Sequence, residues 1–131
     1  MTSLSDQIEN AKKKVDRIFT ETHRATALAV YGELIQSTPV DTSRAKSNWW
    51  MDVNRVSLEI REPDNGDAGQ AQSESVSGKD TKPDDIIYIS NNLPYINRLD
   101  DGYSDQAPAG FVAAAVQVGV DKVKEIARRV K

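Results

Sequence analysis

A helical periodicity running from Leu4 to about Gln36 and halted by a proline constrains this chain more than any other feature. Leu4, Ile8, Ala11, Val15, Ile18, Thr22, Ala25 and Ala29 recur at steps of four and three, which places them on one face of an α-helix. Ser3 or Ser5 is positioned to cap its start, and Asp6 and Glu9 lie where the helix dipole favours anions. From Leu28 onward the apolar face widens to include Tyr31, Leu34 and Ile35, so the second half is expected to be the more deeply buried. Thr38-Pro39 ends the pattern, because a residue before proline is pushed out of the helical region. A helix over 4–37 is about 50 Å long at 1.5 Å per residue. That exceeds what a small sheet can cover, so the front half is expected to protrude or to pack on another subunit.

The remainder reads as a small sheet and a closing helix. Trp49, Met51 and Val53 alternate with Asn48, Trp50 and Asp52, the period of a half-buried strand. Trp49 is expected in the core, and the Trp50 indole on the opposite, exposed face as a subunit contact. Val56, Leu58 and Ile60 alternate on the other parity. Residues 47–61 are therefore a strand or a hairpin, with a tight turn or a bulge at Asn54-Arg55. Residues 63–85 are nearly devoid of large apolar side chains. From Glu62 to Asp85 there are seven acids against two lysines, a local balance of −5. A segment that buries so little cannot offset its ordering entropy, and a long flexible acidic loop is expected. Residues 86–90, within DIIYIS, form the best strand. Residues 91–110 combine Pro94-Tyr95, Leu93 and Leu99, an Asp pair, Gly102-Tyr103 and a closing Ala107-Pro108-Ala109-Gly110, which suits a structured loop more than a linker. Residues 111–130 are expected to be a helix with Val112, Val116, Val120, Val123, Ala127 and Val130 near one face. Ala113–Ala115 favour it over a strand, and Lys122, Lys124, Arg128, Arg129 and Lys131 suit its negative end. The sum is a single α+β domain over 1–131: a long N-terminal helix, a small antiparallel sheet and a C-terminal helix.

Few kinds of chemistry are available to it. Net charge is −3 and the pI about 5.2, without the basic footprint of a general nucleic-acid binder. With no cysteine, disulfides and thiolate metal sites are excluded. No apolar run approaches the length of a membrane span, and the N-terminus lacks the apolar region of a signal peptide. A soluble protein of cytosolic type is expected. His23 stands alone in mid-helix, without a second histidine or a cysteine for a triad. Gly66, Gly69 and Gly78 lie in a polar loop rather than between a strand and a helix, so they make no phosphate cradle. Asp100, Asp101 and Asp105 are the one carboxylate cluster that could bind a hard cation or serve a metal-assisted hydrolase. Asp-Asp-Gly is equally a turn composition, and the spacing lacks the closing glutamate of a calcium loop. Arg44 is either solvated, with Asp41 capping nearby amides, or forked onto Asp100 or Asp101. No catalytic set, cofactor site or metal site emerges.

Two segments carry a resemblance. Thr38-Pro39-Val40-Asp41-Thr42-Ser43-Arg44 leads through Ser47-Asn48 to Trp49. Some tens of residues later come Asn91-Asn92-Leu93-Pro94-Tyr95, Leu99-Asp100, Gly102-Tyr103-Ser104 and Gln106-Ala107-Pro108-Ala109-Gly110. Together these resemble the tail-completion, or neck, proteins of the lambdoid head–tail joining family of tailed bacteriophages. Ser43 stands where that family usually has glycine, and Asn48 is inserted between the serine and the tryptophan. The acidic insert lies outside the motif. The resemblance implies a non-enzymatic structural virion protein, resident in the neck and in the host cytoplasm during assembly. It would act as a ring of itself, of six copies, between tail tube or terminator and head connector. It would have no membrane and no sequence-specific nucleic-acid partner, though DNA could pass through the ring. The motif residues Pro39, Asp41, Thr42, Arg44, Trp49, Asn92, Pro94, Tyr95, Gly102, Tyr103, Gln106, Pro108 and Gly110, with Trp50, are its implied assembly positions. A tail terminator or head-closure protein is the near alternative. A small interaction or adaptor module built on the first helix is the distant one.

Overall fold

The computed structural model describes residues 3–38, 44–60, 81–101 and 110–129. The chain is α+β, with helix α1 (Leu4–Ser37), a four-residue helix α2 (Arg44–Ser47), strand β1 (Trp49–Val53), strand β2 (Ile87–Asn91), a one-turn helix α3 (Ile96–Asp100) and helix α4 (Phe111–Arg129). Of the two candidate caps, Ser3 starts α1. Its Oγ accepts from the Asp6 N–H at 3.1 Å while the Asp6 carboxylate accepts from the Ser3 N–H at 3.4 Å, a capping box. At the other end Thr38 is extended (φ −70°, ψ 132°) and its N–H still reaches the Leu34 carbonyl at 3.0 Å, as expected before Pro39.

β1 and β2 pair antiparallel in the register Trp49↔Asn91 through Val53↔Ile87, and they are the whole sheet among the described residues. Their odd-numbered side chains face α1. Trp49 and Met51 join Ala27, Tyr31, Leu34, Phe111 and Ala115 in one core, with Ile87, Ile89, Ile96 and Leu99 packed around it. A polar relay stitches this core to the end of α1. The Tyr31 hydroxyl donates to the Trp49 carbonyl at 2.9 Å. The Trp49 indole N–H donates to Thr38 Oγ1 at 2.7 Å, and that hydroxyl donates to the Leu34 carbonyl. Buried polar groups are thus satisfied in series.

Several sequence expectations need correction. The strand expected over 47–61 is only five residues long, because Ser47 closes α2 and Asn48 turns the chain. It pairs with β2 rather than folding back as a hairpin with 56–60, which form no strand. Asn54 adopts φ 62°, a left-handed conformation that asparagine tolerates better than most residues, and redirects the chain there. Parity beyond it is the reverse of a core strand: Ser57 is buried while Val56, Leu58 and Ile60 are exposed. Of the loop expected over 63–85, residues 81–85 are described and begin at a buried Thr81; residues 61–80 lie outside the described residues.

α4 also buries a different face from the one expected. Val116, Val120 and Val123 are 52%, 41% and 40% exposed, whereas Phe111, Ala115 and Gly119 are buried. The reason is distance. A Cβ at Gly119 would lie 2.4 Å from Val30 Cγ2 of α1, so the two helices approach too closely for valine, and the small residues take the contact.

Candidate functional site

The two motif segments meet at one end of the sheet. Asn91 Nδ2 donates to the Ala45 carbonyl at 3.0 Å, bridging 46 residues, while Asn91 Oδ1 accepts from the Leu93 N–H at 3.1 Å. Leu93 is buried beneath this clasp. Asn92 Nδ2 reaches the other way, to the carbonyls of Ser57 at 2.7 Å and Glu59 at 3.3 Å, and Ser90 Oγ also donates to Ser57. The 57–59 segment is thereby held against the even-numbered face of the sheet, which carries Trp50. Trp50 is consequently half-buried, not the exposed indole expected from alternation alone.

Asp100 has a structural task. Its backbone carbonyl accepts from the Gly110 N–H at 2.7 Å and its Oδ1 accepts from the Val112 N–H at 3.0 Å, so it caps α4 from outside that helix. Gly110 precedes the helix at φ 82°, a conformation that suits glycine. The loop expected at 91–110 therefore contains a helical turn and is anchored at both ends. Pro94 is exposed and Tyr95 half-buried at the start of α3. Pro39, Asp41, Thr42, Gly102, Tyr103, Gln106 and Pro108 lie outside the described residues, as does the Arg44 side chain. Among the described residues no three histidine, aspartate or glutamate side chains are grouped to hold a metal ion.

A second clasp, at the far end of the sheet, had only the turn or bulge at Asn54-Arg55 as its signal. The Asn54 N–H donates to the Ile86 carbonyl at 2.7 Å, its Oδ1 accepts from the Ile86 N–H at 2.9 Å, and its Nδ2 donates to Asp85 Oδ1 at 2.9 Å. Asp85 Oδ2 accepts from the Lys82 N–H at 2.7 Å. These two donors, the Lys82 amide first, hold the Asp85 carboxyl below its ordinary range.

Beside Asp85 opens a cleft of about 760 Å³ between α1 and α4. Val15, Ile18 and Phe19 of α1 face Val123, Ile126 and Ala127 of α4 across it. His23 sits at its upper end, its ring centroid 6.4 Å from that of Phe19, and its Nδ1 is enclosed with no hydrogen-bond partner among the described residues. Within the cleft Val15 and Phe19 are 63% and 56% exposed, and below it Leu4 and Ile8 are 72% and 61% exposed. No helix among the described residues is long and apolar enough to cross a membrane. No family model, curated protein or solved structure matches this chain.

Proposed function

We propose that this chain is a non-catalytic structural protein of the phage neck, completing the tail and joining it to the head connector through ring assembly. The observation that carries the reading is the junction of its two motif segments, Asn91 Nδ2 to the Ala45 carbonyl, backed by the Trp49↔Asn91 pair. Segments far apart in sequence build one end of the domain, which supports a surface shaped for contact. The exposed apolar half of α1 supports the same reading, since a contiguous exposed apolar surface calls for a partner.

The test is deletion of the coding sequence from the phage genome that carries it. Under the neck reading, electron micrographs show filled heads and finished tails that fail to join, and added purified protein restores joined particles. Tails of uncontrolled length would assign the chain to the tail terminators instead, and normal virions would remove it from the particle altogether.

A further inference from the structure

We propose that the exposed start of α1 in one copy docks, through Leu4, Ile8 and Ala11, into the cleft between α1 and α4 of a second copy, the two α1 helices running parallel. The proposal deepens the ring element of the neck reading and rests on it for the statement that copies meet. The chain carries both halves of the contact. Leu4, Ile8 and Ala11 continue the heptad-spaced seam that Val15, Ile18 and Thr22 extend into the cleft, and the seam outside the cleft is exposed. The cleft wall is apolar, lined by Phe19, Val123, Ile126 and Ala127.

Charge selects the direction. α4 runs antiparallel to α1, since Phe111 and Ala115 pack with Tyr31 and Leu34, Gly119 lies against Val30 and Thr26, and Val123–Ala127 lie opposite Val15–Thr22. The lower end of the cleft therefore adjoins Arg128 and Arg129, the latter paired with Glu125, and its upper end holds Asp85 and His23. A parallel guest displaced by eleven residues, about 16 Å, sets Leu4 at the level of Val15 and Ile8 at the level of Phe19. Its Asp6 and Glu9 then approach the basic end of α4, and its Lys12-Lys13-Lys14 run arrives at the level of the Asp85 carboxylate. An antiparallel guest would instead set lysines against Arg128 and Arg129, and acids against Asp85. Because the guest and host surfaces differ, the contact is heterologous, and each copy is guest to one neighbour and host to another.

The absence of native cysteine allows a direct test. Ile8→Cys and Val123→Cys chains, distinguished by a mass tag, are mixed in equal amounts and mildly oxidised. Docking predicts that the mixed disulfide exceeds either like pair about tenfold, the discrimination of a modest specific contact. A dominant Ile8→Cys like pair would mean symmetric seam pairing, and no disulfide would mean no docking; either overturns the proposal. Sedimentation supplies the second measurement. The Leu4→Asp/Ile8→Asp chain and the Lys12→Glu/Lys13→Glu/Lys14→Glu chain should each associate about tenfold more weakly with unchanged circular dichroism, and unchanged association in either overturns it. Head–tail joining by the purified protein is scored separately. Joining without the mixed disulfide sinks the docking and spares the neck reading, and the disulfide without joining does the reverse.

Discussion

The two halves of α1 share one helix and one periodicity, yet they live in different environments. From Ala27 to Leu34 the apolar side chains are sealed by β1 and by the Phe111–Ala115 end of α4. From Leu4 to Phe19 equally apolar positions stand largely in water. Periodicity reports which residues share a face, and coverage decides whether that face stabilises the fold. The clearest way to break this comparison is by truncation. Leu34→Ala should cost about 2–5 kcal/mol in chemical denaturation, as for other buried leucines, whereas Ile8→Ala should stay within about 0.5 kcal/mol for the monomer. Comparable losses at both positions would mean that the first half of α1 is covered even in the single chain.

The boundary between the halves lies where α4 leaves close contact with α1, and Gly119 sets that closeness. Gly119→Val gains slightly in helix propensity but drives branched carbons into Val30, whose own branching leaves it little freedom to move. The expected net loss is about 1–3 kcal/mol, measured by thermal unfolding. A neutral result would show that the helices can separate at no cost, and the contrast between sealed and open halves would then be one of degree.

The two long helices, the α+β class and the inward face of β1 were legible because they follow from period and capping, which are local; the short helices α2 and α3 were not. What failed was non-local. Valine was expected on the packed face of α4 because it is the more apolar residue, but the distance to Val30 is a property of two helices and is written in neither alone. The Trp50 face was expected to be open because alternation does not reveal that Asn92 and Ser90 hold the 57–59 segment across it. Asp100 was weighed as a metal ligand or an Arg44 partner, and its role as a cap for α4 depends on the Val112 N–H, twelve positions on, lying 3.0 Å from its carboxylate. The junction of the two motifs rests on Asn91, which was not among the expected assembly positions and whose reach to the Ala45 carbonyl no spacing rule anticipates.

Within the sealed half, the Tyr31 hydroxyl sharpens the comparison further. Tyr31→Phe keeps the ring and removes the donor to the Trp49 carbonyl, so about 1–2 kcal/mol should be lost, the cost of leaving a buried acceptor unpaired. The same exchange at Phe19 in the open half, Phe19→Tyr, should be nearly neutral in the monomer, because a hydroxyl added at an exposed ring remains solvated.

The smallest effect concerns pH, and it separates the clasp at Asn54 from the cleft beside it. The Asp85 carboxyl is held below its ordinary value by the Lys82 amide and then by the Asn54 side chain. A depressed folded-state pKa means that the unfolded chain takes up the proton first as pH falls. The stabilisation by Asp85 is therefore fully present above the unfolded carboxylate value of about 3.9 and is lost as pH drops through the lower folded value. Denaturation of the unaltered chain and of Asp85→Asn should differ by a constant amount from neutral pH to about 5, and the difference should shrink below about 4. A difference that stayed unchanged from neutral pH down to about pH 3 would overturn the assignment of this stabilisation to the two donors on Asp85, and the clasp would then owe nothing to the charge of that carboxylate.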